Sequence, residues 1–347
     1  MRRTQSPAHP AAAPLVGAGD RPVPGRGGLG PGVAGRSERT VTALPTAGLT
    51  VVAVTPLDRD GAVDVPGIGE LMEFYLRCGV SGVTLLGVMG EANRMTDDES
   101  VTVTRAALEA LDGRVPAIVG VSDASLQRLV ALARAASGLG AAGVLVQPLA
   151  GLRGDAAVVG YFRAVCEALG PGIPVCVQDF PRSSGVGLSL AAWRGIVESC
   201  PSVQMLKHEP EPSLAALTAV RQAEAEGLRR VTVLGGNNGL ALLQELDRGA
   251  DGAMTGFSYP DALVTVDERW RTGERDRARD LFDRHLPLNL HEWAGGLAVR
   301  KEILRRRGAL ASATCRYPLR PLSAADQQDL DVLLERLTAA PVPVGAA

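Results

Sequence analysis

The stretch Ser202-Val203-Gln204-Met205-Leu206-Lys207-His208-Glu209 is a short apolar run that delivers a lysine and stops at Pro210. The chain has 36 Lys plus Arg, and all but Lys207 and Lys301 are arginine. A lysine kept at the end of an apolar strand in so arginine-rich a chain points to a use for its amine. Arginine stays protonated, whereas a desolvated lysine can lose its proton and attack a carbonyl to form an imine. An ordinary lysine, with a pKa of about 10.4, sits about 3.4 units above neutrality, so the neutral amine costs about 4.6 kcal/mol unless burial lowers that value. Strand side chains alternate, which places Glu209 on the same side as Lys207 and His208 on the other. Glu209 is therefore the first candidate for general acid and base, with Asp179 and Tyr259 next.

These side chains need a scaffold, and the pattern that supplies it begins after Pro45. Short apolar runs alternate with longer helical patterns. The strands fall at Gly48–Thr55, Val83–Leu86, Ala117–Val121, Val144–Gln147, Val175–Gln178, the Val203 run, Val231–Leu234 and Ala253–Thr255. Thr96-Asp97-Asp98-Glu99 reads as a capping box that starts a helix. The segments Cys78–Val83, Leu139–Val144 and Arg248–Ala253 each place one glycine at a helix C-terminus and a second just before a strand. Eight such units, with continuous apolar strands and no G-x-G-x-x-G turn after the first, predict a (β/α)8 TIM barrel over residues 44–260. The remainder, residues 261–340, predicts extra C-terminal helices packed on the barrel. Residues 1–43, rich in Pro, Gly, Ala and Arg, read as a disordered extension. In a barrel of this kind the catalytic groups sit at the C-terminal ends of the strands, where Lys207 falls.

With that order in place, the chain resembles the dihydrodipicolinate synthase and N-acetylneuraminate lyase family, barrel enzymes that hold a 2-oxo acid as a Schiff base on a lysine of the sixth strand. The resemblance spans roughly residues 48–337. It rests on Thr55-Pro56 after the first strand, Gly87-x-x-Gly90-Glu91 after the second, Pro181 and Gly185 after the fifth, Lys207, and Gly236 after the seventh. It implies that Lys207 forms the imine and that the loop Gly87-Val88-Met89-Gly90-Glu91 binds the substrate carboxylate. Thr55, Gly185, Gly236 and Met254 complete the implied pocket. Two departures stand out. Val88 and Met89 replace the usual hydroxyl residues, which leaves backbone N–H groups to hold the anion. Gln178 replaces the usual proton-shuttling tyrosine, and glutamine can orient a water or carbonyl but cannot act as acid or base. Leu149 and Ala150 stand where tyrosines of the true synthases follow strand four, and Ser183 where an arginine contacts the second substrate, so lysine biosynthesis is not expected.

The resemblance thus implies an aldolase-type lyase acting on pyruvate or a related 2-oxo acid. The alternatives are a deoxy-sugar-acid dehydratase using the same imine, or a barrel that binds a 2-oxo acid without turnover. The partner expected is less polar than aspartate semialdehyde or a sialic acid. No cofactor is expected, and four scattered histidines show no metal-ligand spacing. A net charge of −2 argues against nucleic acid or membrane as partners, and no apolar stretch reaches the length of a membrane helix. Five scattered cysteines suit a reducing, cytoplasmic compartment, and the resemblance suggests a homodimer or homotetramer. Arg300-Lys301-Glu302 with Arg305-Arg306-Arg307 reads as a solvated helix face, Asp267 to Asp283 as an exposed helix, and His291-Glu292-Trp293 as a helix junction near the barrel mouth or a subunit contact.

Overall fold

The computed structural model describes residues 43–338; apart from Ala43, the expected disordered extension lies outside the described residues. The chain runs β1 (Gly48–Val52), α1 (Val65–Arg77), β2 (Gly82–Leu85), α2 (Asp97–Leu111), β3 (Ala117–Gly120), α3 (Leu126–Leu139), β4 (Gly143–Val146), α4 (Asp155–Leu169) and β5 (Val175–Asp179). It continues through α5 (Pro181–Ser184), α6 (Leu190–Ser199), β6 (Val203–His208), α7 (Ser213–Ala225), β7 (Thr232–Gly235), α8 (Leu242–Asp247), β8 (Gly252–Thr255), α9 (Pro260–Arg271), α10 (Arg275–Arg306) and α11 (Ala324–Thr338). The eight strands pair in sequence order, all parallel, and β8 closes on β1, giving the predicted (β/α)8 barrel.

The strand period of two makes two apolar layers. Val52, Ile118, Leu145, Cys176, Met205, Leu234 and Met254 point into the lumen and pack on one another. Their neighbours Val51, Val119, Val144, Val177, Leu206 and Val233 point outward and meet the buried faces of the helices, among them Leu129, Phe162, Ile196 and Leu217. Each such side chain contributes about 1.5–3 kcal/mol through burial. The predicted capping box is present, with Glu99 N–H donating to Thr96 Oγ1 and Thr96 N–H to Glu99 Oε2. The repeated helix-ending glycines Gly79, Gly140 and Gly249 all have positive φ (77°, 102° and 86°), the conformation such a repeat requires.

The C-terminal helices depart from expectation in an informative way. Asp267 and Trp270 are buried on α9, and Gly273 separates that helix from α10, so Asp267 to Asp283 is not one exposed helix. Helix α10 runs through His291-Glu292-Trp293 and turns sharply at Gly296 (φ 70°). Beyond that turn Arg300, Lys301 and Glu302 are buried, correcting the expected solvated face. The helix is amphipathic in charge rather than hydropathy: its inward charges find partners on the barrel loops, a pattern periodicity alone does not separate from a surface stripe.

Candidate active site

Lys207 is 6% exposed and lies near the C-terminal end of β6, in register with Gln178 of β5 and Leu234 of β7. Glu209, just past the strand end, keeps the alternation and returns to the same side, with Oε2 3.1 Å from Lys207 Nζ. Gln178 Nε2 donates to that same Oε2 at 2.8 Å. The other oxygen, Oε1, accepts the Asn237 N–H at 3.1 Å. Glu209 is itself 5% exposed, so the charge is satisfied by three donors in a dry site. Gly236 lets this happen: a Cβ there would fall inside the Glu209 side chain, and its N–H donates to His208 O at 2.9 Å. Gly236 is thus a support for Glu209 before it is a pocket wall.

The other strand-end residues sort by face. His208 points outward, its Nε2 2.9 Å from Ser213 O, and burial lowers its pKa. Asp179 also faces outward, beside Trp193, Leu206 and His208, and Oδ1 accepts the Leu188 N–H. Burial pushes its carboxyl up to about 7, the Leu188 bond opposing and the charge of Glu209 adding. Asp179 therefore does not share the rim with Lys207, because it is out of phase with Gln178 by one residue. Tyr259 packs with Phe257, His285 and the Arg307 guanidinium, none of them a partner of Lys207 or Glu209.

After β2 the chain makes a short 3-10 turn over Val88–Gly90. Gly90 and Glu91 N–H bond back to Gly87 O and Val88 O. The first two N–H groups, on Val88 and Met89, have no acceptor among the described residues, and anions are favoured at such an end. Thr55 Oγ1 donates to Gly90 O at 2.6 Å, so Thr55 holds the turn. Val88 is 41% exposed, while Met89 packs on the lumen cluster that contains Met254, the floor of the barrel interior. Gly185 ends α5 with positive φ (71°), and a Cβ built there would meet no other group within 4 Å.

Several site-supporting residues carried little sequence signal. Glu91, with no exposure, receives Lys301 Nζ at 2.7 Å and the Arg316 N–H at 2.8 Å. Arg300 Nε donates to Glu292 Oε1 and Arg300 Nη2 to Asn238 Oδ1, and Ser258 N–H donates to Glu292 Oε2. Helix α10 thereby grips the loops after β2, β7 and β8 at once. His291-Glu292-Trp293 is part of that grip: Glu292 is buried, and Trp293 lies under the Arg182 guanidinium and against Phe180. The second lysine was the one hint, since Lys301 is the other survivor in an arginine-rich chain. No group of three or more His, Cys, Asp or Glu among the described residues could hold a metal ion, and no helix among them is long and apolar enough to cross a membrane.

A closed (β/α)8 barrel with a buried lysine and glutamate pair at the end of its sixth strand, and a 3-10 turn after its second whose first two N–H groups have no acceptor among the described residues, defines the class. The chain belongs to the dihydrodipicolinate synthetase family, whose model matches residues 45–337. It is 31% identical over 304 residues to an L-2-keto-3-deoxyarabonate dehydratase of Azospirillum brasilense, covering 84% of this chain and 94% of the relative. It is 32% identical over 300 residues to a 4-hydroxy-tetrahydrodipicolinate synthase of Xanthomonas campestris pv. campestris, with the same coverage. Among solved structures, a dihydrodipicolinate synthase from Rhodopseudomonas palustris aligns with TM-score 0.82 and 39% identity, over 85% of this chain and 99% of that one. YagE, a prophage protein of this family from E. coli K12 solved in complex with pyruvate, aligns with TM-score 0.77 and 26% identity, over 84% and 98%.

Proposed function

We propose that this lyase-family barrel binds a 2-oxo acid and forms an imine between its keto carbon and Lys207 Nζ. The observation that carries the reading is the buried Lys207 Nζ to Glu209 Oε2 pair at 3.1 Å, fixed by Gln178 and Asn237. Glu209 takes the ammonium proton, the free amine attacks the keto carbon, and the carbinolamine loses water once Glu209 returns a proton to its hydroxyl. The substrate carboxylate takes the Val88 and Met89 N–H groups. The protonated imine then accepts the electron pair left at the neighbouring carbon.

The fate of the imine depends on which proton the base removes. Removal from the hydroxyl of a 4-hydroxy-2-oxo acid breaks the C3–C4 bond and releases an aldehyde. Removal from C3 gives an enamine that expels the C4 hydroxyl as water. Glu209 Oε2 lies against the nitrogen, and therefore close to C3, one bond beyond the imine carbon. That placement favours elimination, and the dehydratase named among the relatives supports it. The aldol outcome is the second reading, favoured by the many synthases in the family.

The test is to incubate the full-length protein with pyruvate and borohydride and map the adduct by peptide mass spectrometry. A reduced adduct on Lys207, lost in Lys207→Arg, is the expected result; no adduct with any of a small set of 2-oxo acids overturns the imine. A panel of 4-hydroxy-2-oxo acids then separates the outcomes, since free aldehyde plus pyruvate would sink elimination.

A further inference from the structure

Outside the lysine site, three arginines from three separate segments converge on a cavity of about 470 Å3. Arg59 comes from the loop after β1, Arg305 from the last turn of α10, and Arg320 from the segment before α11. The floor is the stretch from Ala311 to Cys315. Among the described residues Glu302 is the only acidic side chain lining the cavity, and its oxygens are already taken by Arg305 and Arg306, at 2.8 Å in each case. Asp58, beside Arg59, spends Oδ1 on the N–H groups of Asp60 and Ala62 in its own turn. Arg59 and Arg320 make no ion pair or side-chain hydrogen bond among the described residues. The cavity therefore carries two uncompensated guanidinium groups and a third whose carboxylate is shared.

Such a volume falls in the range of small-molecule sites, about 300–1,000 Å3, and exceeds what one inorganic anion fills. Planar guanidinium forks match carboxylate and phosphoryl oxygens in pairs. We infer that this cavity binds a small organic polyanion, carrying two or more carboxylate or phosphoryl groups, and that its occupancy acts on the turn Val88–Gly90. The second half rests on the reading that this turn holds the substrate carboxylate.

The coupling is carried by short contacts that are buried or partly buried. Thr314, in the floor, accepts from Lys301 Nζ at 2.7 Å, and the same Nζ holds Glu91 Oε1 at 2.7 Å. Two residues on, the Arg316 N–H holds Glu91 Oε2, while its guanidinium holds Gly61 O in the loop that carries Arg59. Glu91 ends the turn in a left-handed conformation (φ 57°), which positions the Val88 and Met89 N–H groups ahead of it. An anion that draws Arg59, Arg305 and Arg320 together closes the segment 311–320 over Glu91. That clamps the turn in its anion-accepting form, and the bound polyanion raises affinity for the 2-oxo acid.

The experiment titrates the full-length protein with citrate, and separately with inorganic phosphate, by calorimetry, then measures borohydride trapping of pyruvate on Lys207 with and without citrate. One citrate binds per chain, more tightly than phosphate. Arg59→Gln/Arg320→Gln, which alters two exposed residues without partners, weakens citrate binding at least tenfold. Saturating citrate lowers the half-saturating pyruvate concentration by about fivefold or more, and pyruvate tightens citrate by the same factor, as linkage requires. Undiminished citrate binding in the double variant overturns the site, and phosphate binding as tightly as citrate overturns the organic polyanion. Citrate binding without effect on pyruvate overturns the coupling. If no Lys207 adduct forms at all, the imine reading fails, while citrate binding and its loss in the double variant still decide the site.

Discussion

Replacing Lys301 by methionine keeps the length of the side chain and removes its charge from a site where neither Lys301 nor Glu91 has any exposure. Glu91 would retain the Arg316 N–H and a more distant Arg94, 3.7 Å away, but would lose its closest cation. Breaking a buried ion pair by removing one partner costs about 3–5 kcal/mol, because the remaining charge has no compensation. At about 2–4 °C per kcal/mol for a domain of this size, the melting temperature should fall by about 6–20 °C. The companion Glu91→Gln/Lys301→Met removes both charges and keeps an acceptor for Arg316. Exchange of a whole buried pair for neutral groups is often close to neutral, so most of the stability should return.

The assay is urea unfolding of the three proteins, read beside pyruvate trapping on Lys207. If the turn Val88–Gly90 depends on the pair for its shape, Lys301→Met raises the half-saturating pyruvate concentration more than it slows trapping at saturation. A single variant costing less than about 1 kcal/mol, or a double variant less stable than the single, would refute the reasoning. It would mean that Glu91 is held by Arg316 and the backbone alone.

Three further outcomes are expected. Glu209→Gln preserves the shape beside Gln178 and Asn237 but not the proton transfer, so turnover should fall about 100- to 10,000-fold while a slow pyruvate adduct still forms; near-normal single-turnover rates would remove Glu209 from the mechanism. Gly236→Ala should abolish turnover by displacing Glu209 and cost about 1–3 kcal/mol, visible by thermal melting, whereas an active variant would show that the loop after β7 yields freely. Asp179 is pushed up to about 7 in the fold from an ordinary value of 3.8. The native state therefore binds more protons than the unfolded chain between those values, and stability falls as pH rises from about 4 to about 7, where the loss levels off. Asp179→Asn should leave stability near pH 3 almost unchanged and raise it progressively between about pH 4 and pH 7, by about 2–4 kcal/mol at pH 8, measured by urea unfolding.

The fold was legible because its signals are local and repeated: eight apolar runs, glycines ending α1, α3 and α8, and a capping box at α2 all report the same unit. Lys207 and Glu209 were legible for a related reason, since residues two apart share a face wherever the strand's alternation continues, as it does one residue past the end of β6. Asp179 and Tyr259 were misplaced where that arithmetic was not applied across strands; the register of β5 with β6 sets Gln178, not Asp179, beside Lys207. What periodicity could not reveal is the supporting shell. Arg300 and Lys301 sit in a charge run that reads as solvent-facing, and their partners Glu91 and Asn238 lie far away in sequence, while Glu292 is met only across the turn at Gly296.

The two lysines nevertheless share a logic that composition alone exposed. In a chain that otherwise writes positive charge as arginine, each is buried and each faces a buried glutamate at the C-terminal end of the barrel. Lys207 has one carboxylate oxygen within reach, at 3.1 Å, and keeps a slight exposure of 6%. Lys301 has a carboxylate and a carbonyl, both at 2.7 Å, and no exposure. A guanidinium would be too broad for either place, because it spreads its donors over a planar fork where a compact ammonium fits. On the proposed function, lysine is needed for two different reasons, reactivity at position 207 and shape at position 301. Substituting arginine separates them: at position 207 it should abolish the proposed imine while the pairing charge remains, and at position 301 it should keep the charge but force Glu91 and the turn it ends to move.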